Sequence, residues 1–446
     1  MPANFTGKTE AKFNRAMQCH RNGEQVLAKK LYRSVLKSHP DHPGALHLLG
    51  LLSYQQGDGE AALRLMRSAV HQQPNYLDAL NNLGNVLLEH KEFEEAEQCY
   101  RKVLELKPEY VAAYSNLCVI FRKQNRLPEA IEAGCRAVQI DPQHAVAWHN
   151  LGNSYDKAKK YARAIESYDK AIRADPAFVV SHDAFCRLTL QEESKRFFGR
   201  KKRKKTIRAY ERWLECLPDT PVAKFMLQSL LGKEDIARMP DEVVREMFDT
   251  FASSFEKRLG ELQYRVPGLI APVLQTLLGD PKNDLQALDA GCGTGLCGPA
   301  IRPYAANLTG VDLSPLMLKK AKDAAIYDEL VDAELGSYLE KKPASFDLIV
   351  SGDTLIYFGS LEGVMHAAGK ALRQGGLFLF SLEKSPFTGD SKGYHLHAKG
   401  RYVHSADYVN RVLVKAGFSS IEMKDEVLRQ EFSNPVAGLL VSARKK

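Results

Sequence analysis

Two patterns of apolar positions divide the chain. In the first half, small and large apolar residues recur at helical spacing. The run AVAWHNLGNSYDKAKKYARAIESYDKAIRADP from Ala145 carries Trp148, Leu151, Gly152 and Tyr155, then Ala164, Tyr168 and Ala171, and stops at Pro176. The same set of types recurs upstream at a fixed step. One step back finds Tyr114, Leu117, Ala130, Ala137 and Pro142; further steps find Leu80, Leu83, Gly84, Ala96, Tyr100 and Pro108, then Leu46, Leu49, Gly50, Ala62 and Pro74. A weaker first unit keeps Ala28, Tyr32 and Pro40. A fixed period of this kind predicts stacked helical hairpins, none of which buries its own apolar face alone. Beyond position 280 the pattern changes to short apolar runs separated by helical stretches, which predicts a mainly parallel sheet flanked by helices.

The first pattern resembles the tetratricopeptide repeat, a helix-turn-helix of about 34 residues. Five units keep register, and proline closes each second helix because it cannot continue one. A sixth is interrupted: Pro218 comes later than one period after Pro176 would place it, while Tyr210 and Trp213 keep the second-helix spacing. The excess coincides with KRFFGRKKRKKTIR. PVAKFMLQSLLG reads as a capping helix before a linker at 233–240. The expected domains are a repeat domain over 9–232 and an α/β domain over 240–446.

At the sixth position of each first helix stand Asn14, Leu48, Asn82, Asn116 and Asn150. An amide both donates and accepts, so Asn82, Asn116 and Asn150 could hold an extended peptide by its backbone. This resembles the asparagine ladder of the repeat domain in O-linked N-acetylglucosamine transferase. A peptide or protein partner on the concave face and a plain scaffold or homo-oligomer both remain open.

The second half is organised around LDAGCGTG, residues 288–295, and Gly310-Val311-Asp312. This reads as a buried strand, a glycine turn and a second strand ending in an acid. A doubly wound sheet places such a carboxylate, roughly 20 residues past its glycine turn, at ribose hydroxyls. Gly293-x-Gly295-x-x-Gly298 also fits a dinucleotide turn, in which a helix N-terminus faces a pyrophosphate. An acid at Asp289 would repel that group and suits a cation. The D-x-G-x-G-x-G run of Asp289, Gly291, Cys292, Gly293 and Gly295 resembles motif I of the class I S-adenosylmethionine (SAM) methyltransferases. The resemblance implies SAM as cofactor, a Rossmann-like fold, and contacts from Asp312 and Leu313. It further implies Glu334 and Leu335 near the adenine, where the family usually has Asp-Leu, and Asp353 beside the methionine part or the substrate. A Tyr-x-x-x-Phe-Asp segment caps the pocket in many relatives. Here Phe251 and Glu256 replace its Tyr and Asp, and Tyr264 or Arg265 is expected to serve instead. Strand four is followed by Ser-Gly-Asp-Thr rather than Asn/Asp-Pro-Pro-Tyr/Phe, which argues against the amino-adenine and glutamine methylases.

The segment GYHLHAKGRYVHS, residues 393–405, reads as a polar-aromatic loop over the sheet edge, where substrate contacts usually sit. His404 and His395 are candidate bases, because imidazole accepts a proton near neutral pH. Arg401 is a candidate clamp for a carboxylate or phosphate, Tyr357 a further catalytic candidate, and His397 and Tyr402 substrate contacts. No Cys or carboxylate completes a zinc set with the histidines, so no metal is expected.

Composition changes little in this picture. The net charge of +8 hides a run at 195–208, from Lys195 to Arg208, with nine Lys or Arg in fourteen positions. It reads as a solvated loop, a patch for nucleic acid or acidic lipid, or an import signal. Eight scattered cysteines without a C-x-x-C pair suggest reduced thiols in a cytoplasmic protein. No run of ~18 apolar residues exists to span a membrane. Taken whole, with FDTFASSFEKRL, LDAGCGTGLCGPA and GRYVHSADYV as marks, the chain resembles a bacterial family of methyltransferases with N-terminal tetratricopeptide repeats. That implies an all-α tetratricopeptide superhelix followed by an α/β Rossmann-like class I methyltransferase domain. The implied function is SAM-dependent methyl transfer to an O, N or S nucleophile on a peptide, protein or carrier-presented small molecule. An adaptor with a SAM-sensing or small-metabolite module and an RNA methyltransferase are the alternatives.

Overall fold

The computed structural model describes residues 7–196, 203–232, 236–252, 255–386, 392–397, 399–431 and 434–446. The chain divides into two compact units, Met1–Ala209 and Tyr210–Lys446. Residues 197–202 of the basic run, Phe197 and Phe198 among them, lie outside the described residues.

The first unit is all helical. Its helical hairpins are α1 (Gly7–Arg21) with α2 (Gln25–Ser38), α3 (Pro43–Gln55) with α4 (Gly59–Gln72), α5 (Leu77–Glu89) with α6 (Phe93–Leu106), α7 (Val111–Lys123) with α8 (Leu127–Ile140), and α9 (Ala145–Lys157) with α10 (Tyr161–Ala174). From α3 onward the first helices start at even intervals, at positions 43, 77, 111 and 145. Apolar residues from Ala62 to Ala133 form one cluster across α4 to α8, so the core belongs to the stack rather than to any hairpin. Small residues on first helices admit large ones from second helices. A Cβ on Gly84 would come within 2.8 Å of the Tyr100 ring, and one on Gly152 within 2.6 Å of Tyr168. In the α7–α8 hairpin Cys118 stands at the small position and Gly134 at the large one, and a Cβ on Gly134 would lie 3.0 Å from Leu151 and 3.2 Å from Cys118 Sγ. α11 (Val179–Arg196) and α12 (Lys204–Cys216) stand where the interrupted sixth repeat was expected.

The second unit continues with α13 (Pro221–Leu231), α14 (Asp241–Phe251), α15 (Phe255–Glu261) and α16 (Val266–Leu278). There follow β1 (Leu285–Ala290), α17 (Gly298–Ile301), β2 (Ala305–Asp312), α18 (Pro315–Asp323), β3 (Glu329–Asp332), α19 (Leu335–Glu340), β4 (Phe346–Ser351), α20 (Glu362–Ala371) and β5 (Leu372–Lys384). The chain ends with β6 (Tyr394–Leu396), β7 (Tyr402–His404), α21 (Ala406–Lys415), β8 (Phe418–Glu431) and β9 (Asn434–Lys445). The strands order as β3-β2-β1-β4-β5-β7-β6, and β9 pairs antiparallel with β5 and with β8. β1 to β5 are parallel. β1, β4 and β5 read as near-continuous apolar runs because both sheet faces are covered there, whereas the edge strand β3 keeps Glu329 and Asp332 exposed.

Three expectations are corrected here. The segment read as a loop at 393–405 forms the β6–β7 hairpin, paired through Tyr394–His404 and Leu396–Tyr402, and β7 extends the sheet beside β5. Its aromatic and β-branched residues favour strands, and they bury their rings. The expected linker is built into the second unit: Met239 N donates to Tyr357 O at 2.8 Å and Gly359 N to Ala237 O at 2.8 Å. The expected capping helix α13 packs Phe225 with Met239, Val243, Leu396 and Tyr402, and Ser229 Oγ donates to His397 O at 2.7 Å. It thus covers the β6–β7 hairpin of the second unit.

Candidate functional site

At the carboxyl ends of β1, β2 and β4 the second unit encloses a cavity of about 310 Å³. This is where ligands bind in open α/β sheets. One wall is the glycine turn. Gly291 and Gly293 have φ of 79° and 55°, which disfavour a side chain. A Cβ on Gly291 would lie 2.0 Å from Thr354 Oγ1, whereas one on Gly293 would meet only Phe255, at 3.8 Å. Gly291 therefore lets the turn after β4 approach, and Gly293 keeps the cavity open. Gly291, Cys292, Gly293, Thr294, Asp312, Leu313, Ala333, Leu335 and Asp353 all line it.

Asp312 accepts from Gly293 N and Ser314 N, each at 2.9 Å. These bonds fix its orientation and leave each oxygen a lone pair for a ligand hydroxyl. Burial raises its pKa against the opposing pull of those amides. Thr294 Oγ1 is buried in this wall and has no partner among the described residues. A buried hydroxyl left unpaired costs about 1–3 kcal/mol, which a bound polar group would relieve.

α14 and α15 form the opposite wall with Val244, Met247, Phe248, Phe251, Phe255 and Leu259. Phe248 stands edge-on to Tyr357 at 5.5 Å, and the Arg258 guanidinium lies 4.1 Å over the Phe251 ring. α14 is tied to the loop after β2: Ser314 Oγ bonds Asp249 at 2.5 Å and Arg245 Nε donates to Leu313 O at 3.0 Å. Of the two residues expected to replace the missing tyrosine, Tyr264 lines the cavity, whereas Arg265 bonds Val427 O.

An ionic cluster underlies the end nearest β4. Arg429, with a side chain 3% exposed, pairs with Asp353 at 2.5 Å, Glu431 at 2.9 Å and Glu383. Arg401 pairs with Glu383 at 2.8 Å and with Glu431, which also meets Lys399. Removing one member of such a buried set typically costs about 3–5 kcal/mol, because the partner charge is stranded. Asp353 has φ 53°, a strained angle for a side-chain-bearing residue, and is held by Ser381 and Arg429. Arg429, Glu383 and Glu431 are absent from the sequence candidates. For Arg429 and Glu431 the available signal is a pair of charges at alternate positions of the VLRQE stretch in a closing strand.

Several expected roles are corrected. Asp289 does not line the cavity: it is 1% exposed and accepts from Tyr327 Oη at 2.7 Å, and burial pushes its pKa up to about 7. Gly295 also faces Tyr327, 3.1 Å from where its Cβ would be. Glu334 borders the cavity, but its carboxylate caps α19 through Gly336 N and Ser337 N and pairs with Arg238 at 2.7 Å. Three donors of the protein thus hold its carboxylate. His404 is fully buried, its Nε2 is 3.1 Å from Gly359 O, and burial lowers its pKa to about 4. Neither His404 nor His395 borders the cavity, so neither serves as a base there. Tyr402 is buried with its hydroxyl on Ile236 O at 2.8 Å, and His397 is exposed at the hairpin turn. Tyr357 and Arg401 do line the cavity.

In the repeat unit, the three asparagine amides turn to the preceding repeat. Asn82 Nδ2 meets His47 at 2.9 Å, Asn116 Nδ2 donates to Asn85 at 2.9 Å, and Asn150 Nδ2 to Ser115 at 2.9 Å. Their carbonyl oxygens have no partner among the described residues.

Residues 288–380 match the family described as "Methyltransferase domain", and residues 27–76, 77–110 and 145–178 match "Tetratricopeptide repeat". The chain is 33% identical over 105 residues to Methyltransferase-like protein 27 of Homo sapiens, covering 23% of this chain and 43% of that protein. It is 29% identical over 202 residues to the Malonyl-[acyl-carrier protein] O-methyltransferase of Geobacter sulfurreducens, covering 41% of this chain and 72% of that one. The chain thus spans less than half the length of the human relative. A solved structure of MamA protein superposes with a TM-score of 0.36 at 21% identity, over 39% of this chain and 94% of that one. No described helix is long and apolar enough to cross a membrane. Repeats, sheet order and glycine turn converge with the family matches: the chain is a tetratricopeptide-repeat protein that carries a class I methyltransferase domain.

Proposed function

We propose that the second unit binds SAM in the cavity beside the glycine turn and transfers its methyl group to a nucleophile held at the β4 end. When bound, SAM supplies a methyl carbon activated by a sulfonium. The chain's part is to hold the ligand and exclude water. Asp312 takes ribose hydroxyls, the Thr294 hydroxyl takes a polar group of the methionine part, and Ala333 and Leu335 flank the adenine. The α14–α15 wall shields the reacting atoms, so alignment rather than proton transfer carries the rate, an effect worth up to about 7–11 kcal/mol in well-oriented systems. The observation that carries this reading is the buried Thr294 hydroxyl, unpaired in a wall whose glycines are open to a ligand.

An oxygen nucleophile is favoured, since the Geobacter relative is named as an O-methyltransferase. The repeat unit would present the acceptor on a peptide, protein or carrier. Its three unpaired asparagine carbonyls support that, because they could accept from an extended backbone. Titration calorimetry with SAM tests the core of the proposal. Asp312→Ala should weaken SAM binding at least ~10-fold, the cost of about 1.4 kcal/mol of lost hydrogen bonding. Equal affinity in both proteins would remove the assignment.

A further inference from the structure

The β4 end of the cavity is furnished with donors. Tyr264, Tyr357 and Arg401 line it, and neither phenol hydroxyl nor Arg401 Nη1 has a partner among the described residues. Burial raises both phenols above their usual pKa, Tyr357 to about 12, so they donate at neutral pH and do not act as bases. The carboxylates beside them are engaged. Asp353 is held by Ser381 and Arg429, and Glu383 and Glu431 by Arg401, Arg429 and Lys399. The two candidate imidazoles lie outside the cavity. A phenol, an ammonium or a neutral thiol must shed a proton to be methylated, and among the described residues this end of the cavity offers no unengaged group to take one. A carboxylate needs no such help, because its usual pKa near ~4 leaves it ionised, and its oxygens match a ring of donors.

We propose that the acceptor methylated by this chain is a carboxylate, oriented by Arg401 and the hydroxyls of Tyr264 and Tyr357 through one oxygen while the other attacks. This deepens the methyl-transfer reading above and rests on it. The attacking oxygen supplies the electron pair of the new C–O bond, the C–S bond breaks, and its pair stays on sulfur. A methyl ester and a neutral thioether result, and no proton moves. An anion and a cation combine into two neutral molecules, so the water-excluding wall of Phe248, Phe251 and Phe255 favours the step by withholding the hydration that stabilises the charged reactants more than the charge-dispersed transition state.

The test uses full-length protein, methyl-tritiated SAM and a host lysate, followed by mild alkali. Methyl esters release volatile methanol, whereas N-methyl, S-methyl and methyl ether products keep the label. Most transferred label should become volatile. Label that is transferred but stays fixed overturns the carboxylate and leaves methyl transfer standing. No transfer into any fraction overturns both. With an alkali-labile acceptor in hand, Tyr357→Phe should leave the calorimetric affinity for SAM within twofold and raise the acceptor KM roughly tenfold, as expected for one lost hydrogen bond. A fall in kcat at constant KM would overturn the orienting role of that hydroxyl.

Discussion

Asp289 shows how a residue's type and position can be legible while its role is not. Its place two positions before Gly291 marks the turn, and the turn lines the cavity; the carboxylate itself points into the protein and meets Tyr327. Spacing fixes which residues sit at the strand end, but the partner that captures the side chain lies 38 positions away and leaves no local signal. The same holds for His404, whose imidazole is held by a carbonyl 45 positions distant. Asp312 lines the cavity, held by the backbone amides of Gly293 and Ser314 in the turns after the two neighbouring strands. Burial also gives Asp289 a pH signature. Its folded pKa of about 7 lies above the ordinary 3.8. The folded state thus binds the proton more tightly, and stability from this group is complete below about pH 4 and lost as pH rises to about 7. Asp289→Asn keeps an oxygen for Tyr327 and removes the titration. Urea midpoints of variant and parent should agree near pH 4 and diverge up to pH 7, with the variant more stable by an amount on the order of 4 kcal/mol at about 1.4 kcal/mol per pKa unit. Above pH 7 the gap should stay constant. Because the side chain is outside the cavity, SAM affinity should change little; a large loss would restore the cation-binding role first expected of it.

Among the elements, those set by a period were the most legible. The first helices start at even intervals in the structure, in step with the sequence repeat. A second signal shares that period. Gly23, Gly57, Lys91, Asn125 and Lys159 close the first helix of successive hairpins, all with positive φ, from 58° to 83°. The turn demands a left-handed residue, and Gly or Asn meets it at low cost. Two lysines at equivalent places therefore carry strain of about 1–2 kcal/mol each. Lys159→Gly should raise the stability of the repeat unit by up to about 1 kcal/mol, after the extra chain entropy of glycine is subtracted. A thermal or urea midpoint that falls instead would mean the lysine side chain makes up for the strain. The β6–β7 hairpin was illegible for the opposite reason. Such short strands have too few positions for an alternation to show, and the density of His, Arg and Tyr resembled a loop. Its strand character comes from pairing with β5 and from rings buried against α13.

For the whole molecule, the change from repeat period to strand–helix alternation was visible, but the place where the second unit begins was not. Composition suggested a start near position 240, after a stretch read as linker. In the structure the second unit begins at Tyr210, and the intervening residues complete its site. Phe225 and Met239 close the core around Tyr402, Arg238 pairs with Glu334 in the cavity wall, and the backbone of 237–239 bonds that of 357–359 next to the cavity. Nothing local marks these as domain residues, because each depends on a partner far along the chain or on a single backbone bond. The consequence is testable with two fragments. Residues 210–446 should fold and bind SAM as tightly as the full chain. Residues 240–446 should lose the burial of Phe225 and Met239, about 1.5–3 kcal/mol each, and leave Glu334 without its guanidinium and Tyr357 O without its donor. Against a typical stability of about 5–15 kcal/mol, that loss should appear as a much lower melting temperature and SAM affinity reduced by at least ~10-fold. Equal melting and equal SAM affinity for the two fragments would show that α13 and the segment after it only rest on the methyltransferase fold and are not part of it.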